Sequence, residues 1–297
     1  MFRFAFLLAL LASTMAHAAL TVGTYNIRNF DYDERARIRT DKPALQAILR
    51  GLNFDLLGVN EINNTQEFAR FVARAMPGFD VVLSRCGGAH GQRLGFVYNK
   101  TKLKVLRFDE EMAFSGTEGT GGCDTGSRPA AVAHFEELGT GVKFHAIQVH
   151  FKSGSNASDT AKRSGQYTLL GQLVRELTAQ GNRNIIAMGD FNTTGYLGRD
   201  NDYRAFTGMV RAAGMVDLSA SLACSAYWWG GSDDGIETPS LLDHVIATPG
   251  MLNNQSNARA TVGGHCRAVS CREATPAQLG ASYTGVSDHC PQTATIR

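Results

Sequence analysis

The stretch "NIIAMGDFN", Asn184 to Asn192, runs as an apolar strand into Gly189, Asp190, Phe191 and Asn192. Burying a carboxylate and a carboxamide at a strand end costs roughly 2–7 kcal/mol per group unless something satisfies them. Strand alternation sends Asp190 and Asn192 to one face and Phe191 to the other. Other apolar runs end the same way. "TVGTYNIR" (21–28) delivers Asn26, "DLLGVNEI" (55–62) delivers Glu61, and "VKFHAIQVH" (142–150) delivers His150. "LLDHV" carries Asp243, and "VSDHCP" near the C-terminus places Asp288 beside His289.

Strand ends that meet at one sheet edge would gather these carboxylates, carboxamides and imidazoles around a shared point. Clustered carboxylates repel one another unless a cation or proton intervenes. An oxygen-rich donor set suits a hard ion, Mg²⁺ first and Mn²⁺ or Ca²⁺ as alternatives, rather than zinc. Such an ion binds phosphate oxygens and neutralises charge in phosphoryl transfer. Two histidines are then available to move protons near neutral pH. Each signal alone has a plain structural reading, a turn-capping Asp or a hydrogen-bonded core His. Their number and order carry the reading.

Strand-like runs also cover 80–84, 94–99, 103–108, 130–136 and 241–248. Helical stripes fall between them: Leu45, Ile48, Leu49 and Leu52; Phe68, Phe71, Val72 and Ala75; Leu170, Leu173, Val174 and Leu177; Phe206, Met209, Val210 and Ala213. Pro43 opens the first helix, and Asn64 with Glu67 is spaced like a capping box before the second. Two packed sheets with helices on the outer faces accommodate this mixture. The Gly-rich segments 115–127 and 152–159 read as long surface loops rather than linkers, so one domain, 19–297, is expected.

The chain begins "MFRFAFLLALLASTMAHAAL", with Arg3, a short apolar segment and Ala16-His17-Ala18. This pattern predicts a signal peptide, residues 1–18, cleaved after Ala18, and hence a secreted or periplasmic protein without a membrane anchor. A formal charge of +2 argues against a strongly basic nucleic-acid coat but allows a local basic groove. The six cysteines in an exported chain imply up to three disulfides, and six cysteines allow 15 pairings. Cys266 with Cys271 is the single pairing expected from proximity. A zinc site of His265, Cys266, Cys271 and His289 is the rival reading, disfavoured because no short C-x-x-C pair is present. Three Asn-x-Ser/Thr matches, at Asn63, Asn156 and Asn192, are too short to assign glycosylation.

"TYNIR", "GVNEI", "SRPAAV", "QVHFKS", "MGDFN", "LLDHV" and "SDHCP", in this order from Thr24 to Pro291, resemble the endonuclease/exonuclease/phosphatase superfamily. That superfamily includes pancreatic-type deoxyribonuclease, abasic-site endonucleases, sphingomyelinases and inositol polyphosphate phosphatases. The resemblance implies an α+β fold, the deoxyribonuclease-like four-layer α/β/β/α sandwich. It implies metal ligation by Glu61 with Asn26 and Asp288, and His289 oriented by Asp243 as base or phosphate holder. Asp190 and Asn192 would position nucleophile and phosphate, with Asp190 open to a second metal, and His150 would protonate the leaving oxygen. Arg128 matches a phosphate-contacting arginine. Asn60 departs from the more usual Gln, and no acid that would orient His150 is identifiable.

The expected function is a secreted, metal-dependent nuclease acting on DNA, with RNA as a further substrate. Lys152 and Arg163, in the stretch that follows His150, are expected to contact substrate; a solvated helix start is the plain alternative. Trp228 and Trp229 either stack on bases or anchor a loop. A sphingomyelinase-like phosphodiesterase is the second enzyme reading, weakened by Gly/Ser/Thr-rich rather than apolar loops. A catalytically inactive binding or toxin subunit is the third, and it conflicts with the complete residue set. No protein partner is implied.

Overall fold

The computed structural model describes residues 19–118, 122–252, 255 and 257–296; the expected signal peptide lies outside the described residues. Two six-stranded sheets form the centre. The first runs, edge to edge, Thr261–Val262, Gln292–Thr295, Thr21–Phe30, Leu56–Ile62, Arg93–Asn99 and Phe79–Leu83. The second runs Val216–Asp217, Asp243–Ala247, Ile185–Asp190, Lys143–His150, Ala130–Glu137 and Leu103–Glu111. In each sheet the two strands that deliver site residues lie side by side and parallel. Thr21–Phe30 pairs with Leu56–Ile62, and Lys143–His150 with Ile185–Asp190, so the polar ends of each pair emerge together.

The inward faces make the largest apolar cluster, with Val22, Leu56, Phe96, Phe135, Ile186 and Val245 among its members. Helices Lys42–Gly51 and Thr65–Ala75 cover the outer face of the first sheet through Leu45, Leu49, Phe68 and Phe71. Helices Ala157–Ala179 and Asn201–Ala212 cover the second through Leu170, Val174, Phe206 and Val210. The layers are therefore helix, sheet, sheet, helix. Pro43 sits in the first turn of its helix behind the N-cap Asp41. Asn64 caps the next helix by accepting from Glu67 N, while the Glu67 carboxylate turns to Lys42 and Arg70 instead of closing a capping box.

Regular strand geometry ends where the site begins. The pairing of the first and second strands of the first sheet slips between Asn26 and Phe30, and the next pairing slips between Val59 and Ile62. Glu61 and Asn192 both adopt left-handed backbone, φ 63° and 50°. Gly189, at φ 137°, would place a Cβ 2.1 Å from the Val149 carbonyl, so only glycine fits the point where the two parallel strands touch.

Arg163, expected to contact substrate, is instead fully buried. Its Nε and Nη2 hold Asp202 at 2.9–3.2 Å, and Nη1 donates to the carbonyls of Lys152 and Gly154 at 2.7 Å. Nη2 also reaches Thr194 Oγ1. A guanidinium with this many oxygens to bridge fixes the loop after His150 from beneath. The cysteine pairing also differs from expectation: Cys86–Cys123, Cys224–Cys271 and Cys266–Cys290, with no Cys266–Cys271 bond. Only four residues separate Cys266 from Cys271 in sequence, but each sulfur meets a partner on a different returning segment. With all six sulfurs oxidised, the zinc alternative has no thiolates.

Removing the guanidinium strands a buried carboxylate. Arg163→Ala should destabilise the fold by about 3–5 kcal/mol, read as a lower urea midpoint at unchanged m-value. Wild-type stability would show that the clamp contributes nothing.

Candidate active site

The four converging strand ends form the floor of an open cleft of ≈ 1740 Å³. Asn26 Nδ2 donates to Glu61 Oε1 at 3.0 Å from within its own sheet and to Asp190 Oδ2 at 3.2 Å across to the other. His150 Nε2 lies 3.5 Å from Asp190 Oδ2 and 3.7 Å from Glu61 Oε1. His289 Nε2 lies 3.7 Å from the same Asp190 oxygen, and its Nδ1 is 2.8 Å from Asp243 Oδ2. Asp190 Oδ1 accepts from the backbone N–H of Asn192, whose side-chain amide is tied to the Phe151 carbonyl. Asp288 lines the cleft beside His289. The structure thus brings together Asn26, Glu61, His150, Asp190, Asn192, Asp243, Asp288 and His289.

Beneath the floor, the two sheets are stitched by amides. Asn60 Nδ2 donates to the Val149 carbonyl at 2.7 Å, Gln148 Nε2 donates to Asn60 Oδ1, and Gln148 also reaches Thr24 Oγ1 at 3.2 Å. Asn60 therefore fixes the distance between the sheets that supply Glu61 and His150. On the C-terminal side, Ser287 Oγ donates to the Asn26 carbonyl and accepts from His289 N. Ser225 Oγ donates to Asp243 Oδ2 at 2.8 Å. Sequence reasoning did not find Ser225, which lies in no motif and reaches the site only through the chain's return.

Electrostatics separate the two histidines. Burial alone would lower His289, but Asp243 and then Asp190 overcome it and hold the imidazole well above its ordinary value. Burial, then Arg128 and His289, push His150 well below its ordinary value, so it is neutral at neutral pH. Its Nδ1 meets no hydrogen-bond partner among the described residues, consistent with the missing orienting acid. Glu61 is raised, first by burial and then by Asp288. Asp190 is pushed up to about 7, chiefly by burial, with Asp243 and Glu61 adding to it.

Two carboxylates stay raised in this way although His289 and Arg128 pull them down, so the positive charge present does not fully compensate them. Glu61, Asp190 and Asp288 fit a hard divalent cation by chemistry and by charge. Asn26 can join them only through Oδ1, which here accepts from Arg28 N, so ligation requires its amide to turn. His289, Asp190 and Asp243 also form a compact group of ligating atoms.

The remaining expected residues differ in placement. Arg128 lines the cleft, donates to the Phe151 carbonyl and lies close enough to affect Glu61 and His150. Lys152 lines it too, with its ammonium 3.2 Å from Asp159. Arg163 lies below the cleft, as described. Trp228 and Trp229 are 44 % and 58 % exposed on the rim, whereas Tyr227 is the buried anchor of their hairpin. Of the three Asn-x-Ser/Thr sites, Asn192 is buried and Asn156 caps a helix.

The chain belongs to the endonuclease/exonuclease/phosphatase family, whose model matches residues 23–289. Enzymes of that family hydrolyse phosphoester bonds and typically depend on a divalent metal. No curated protein matches the chain significantly. Among solved structures, zebrafish (D. rerio) TDP2 in complex with a single-strand DNA product superposes with a TM-score of 0.64 at 16 % identity, covering 94 % of this chain and 98 % of that one. The human Nocturnin catalytic domain gives 0.63 at 13 %, covering 93 % of each chain. A mannosyl-6-phosphatase from Bacteroides thetaiotaomicron gives 0.61 at 18 %, covering 93 % and 98 %. At these identities the likeness is one of fold.

Raised carboxylates make a pH signature. Unfolded Asp and Glu titrate near 4, so between about pH 4 and pH 7 Glu61 and Asp190 hold protons in the metal-free fold that they release in the unfolded chain, whereas His134, His145, His150 and His265, held below their ordinary value by burial, do the opposite. The contribution of Glu61 and Asp190 to stability therefore falls as pH rises through that window, while that of the histidines rises. A divalent cation that takes the place of those protons should raise the melting temperature more at about pH 8 than at about pH 5.5. Equal shifts at both pH values would place the cation away from Glu61 and Asp190.

Proposed function

We propose that this chain is an exported nuclease that hydrolyses phosphodiester bonds in DNA by in-line attack of water. The observation that carries the reading is the oriented His289–Asp243 pair, set beside raised carboxylates at the foot of a long open cleft. Ligand pockets for small molecules enclose about 300–1,000 Å³; this cleft is larger, and it is lined by acids, Asp31, Asp33, Glu34 and Glu237 among them, as well as by Arg28, Arg35, Arg93, Arg128 and Lys152. That scale suits an extended strand better than a lipid headgroup, with Arg128 and Lys152 as the bases beside the carboxylates. Three disulfides suit an oxidising compartment, and no helix among the described residues is long and apolar enough to cross a membrane.

In this reading Glu61, Asp288, Asp190 and, once turned, Asn26 would hold Mg²⁺, which would supply positive charge for the phosphate oxygens. In its neutral form His289 would take a proton at Nε2, and Asp243 at its Nδ1 fixes the tautomer and stabilises the imidazolium, the form that the metal-free site favours. Asp190 and Asn192, locked in one turn, position the nucleophile and phosphate. Arg128 binds a phosphate oxygen, and Lys152 meets the flanking backbone. His150 acts as a neutral hydrogen-bond donor through Nε2 rather than as a protonated acid, since its environment disfavours the charged ring.

The mature protein should nick supercoiled plasmid with Mg²⁺ and stop on addition of EDTA. His289→Ala should lower kcat by about 10²–10⁴-fold, and Glu61→Gln should weaken Mg²⁺ dependence as well as rate. A folded wild-type protein that leaves plasmid intact would refute the nuclease reading and direct assay to small phosphodiesters and sugar phosphates.

A further inference from the structure

The Asp243–His289 pair is held differently from the rest of the site. Glu61, His150 and Asp190 lie at the ends of central strands packed into large apolar clusters. His289 lies before the final strand, on a segment bridged to Ala226, with Tyr227 N donating to the Asp288 carbonyl and Cys290 N to the Ser225 carbonyl. Ser225 is the hub of this region. Its Oγ donates to Asp243 Oδ2 and accepts from the backbone N–H groups of Leu242 and Asp243, each at 2.9 Å. Asp243 Oδ2 thus receives both Ser225 and His289, and its other oxygen has no hydrogen-bond partner among the described residues.

Two disulfides fix the hub. Cys224 immediately precedes Ser225 and bonds to Cys271; Cys290 immediately follows His289 and bonds to Cys266. Cys266 and Cys271 lie on one short segment, joined by a backbone hydrogen bond from Cys271 N to the Cys266 carbonyl. Both halves of the Ser225–Asp243–His289 chain are therefore tethered to the same support. The apolar cluster around it is small, and its fully buried members are Cys224, Tyr227, Cys266, Ala274, Leu279 and Cys290. Half of those side chains are half-cystines, so covalent bonds replace the packing that a larger core would supply.

We propose that Cys224–Cys271 and Cys266–Cys290, acting through the positioning residue Ser225, tie catalytic competence to the oxidised state of the chain. The inference rests on the nuclease reading only for the activity it gates. Each disulfide is reduced by a dithiol, which gives up two electrons and two protons and closes to its own disulfide. The S–S bond breaks, two cysteine thiols form, and the segment bearing His289 loses its covalent support while the two sheets keep their core. The chain is then inactive in a reducing compartment and active after transfer to an oxidising one.

The test compares the oxidised mature protein with Cys266→Ser/Cys290→Ser, Cys224→Ser/Cys271→Ser and, as control, Cys86→Ser/Cys123→Ser. Kinetics on bis(p-nitrophenyl) phosphate with Mg²⁺ are read beside far-UV circular dichroism. Both pairs next to the site should lose about 10- to 100-fold in kcat with native dichroism, whereas the control pair keeps wild-type kcat. Folded variants with wild-type kcat would overturn the proposal. Should a cysteine pair fail to fold, Ser225→Ala decides with all disulfides intact: kcat should fall about tenfold at little change in KM, with Ser225→Thr restoring it. An unchanged Ser225→Ala would overturn the proposal. An independent readout is the far-downfield proton resonance of the His289 Nδ1–Asp243 hydrogen bond, present in the oxidised protein and lost on dithiol treatment. If the oxidised protein cleaves no phosphoester yet loses that resonance on reduction, the nuclease reading fails and the disulfide frame stands. Persistence of the resonance after reduction would sink the frame.

Discussion

The burial of carboxylates where two sheets meet is the constraint around which this molecule is arranged. Glu61 and Asp190 come from different sheets and end close to one another through Asn26. Left alone, such groups would push the sheets apart or take up protons, and burial, more than repulsion, favours the second response. The opposing forces are the apolar core between the sheets and the Asn60–Gln148 stitch directly under the site. The left-handed conformations at Glu61 and Asn192 follow from the same demand. A regular strand would alternate these side chains past the cleft, and a local slip re-aims them into it, at a cost of about 1–3 kcal/mol per strained residue. Strain of this kind persists only where the surrounding structure over-determines it.

The two histidines show how environment divides one chemical group into two roles. Both are buried and both face Asp190 Oδ2. His289 has a carboxylate behind it at 2.8 Å, so its ring is oriented and its charged form is stabilised. His150 has nothing comparable behind it and has Arg128 nearby, so its charged form is disfavoured. A proton that moves through the site is accordingly held on the His289 side, while His150 offers a neutral N–H.

Much of this was legible in the sequence because strand periodicity is local. An apolar run ending in Asp190-Phe191-Asn192 states both the strand and the face on which its polar residues emerge. The helix stripes at Leu45, Phe68, Leu170 and Phe206 follow from a 3.6-residue repeat in the same way. What could not be read is the pairing of residues far apart in the chain. Arg163 looked like a substrate-binding base because its partner, Asp202, lies 39 residues away on another helix. Cys266 looked ready to meet Cys271, yet chain proximity says nothing about the returning segments that carry Cys224 and Cys290. Ser225 had no signal, since a serine in a loop becomes a hub only when Asp243 and Cys290 fold onto it.

The site therefore has two mechanical halves. The half proposed to hold the metal, with Glu61 and Asp190 beside His150, inherits its rigidity from two sheets and the largest apolar clusters. The proton-transfer half, Ser225, Asp243 and His289, straddles the seam: Asp243 starts a central strand, but Ser225 and His289 lie on connecting segments outside the main sheets. Positioning a base to within hydrogen-bond distance demands comparable rigidity on both sides. Loop segments cannot draw it from ladder hydrogen bonds alone, and a core of six side chains is too small to impose it. Cross-linking both segments to one support is the physical solution available where disulfides form, and under the proposal it makes the more delicate half of the site the half that senses redox conditions.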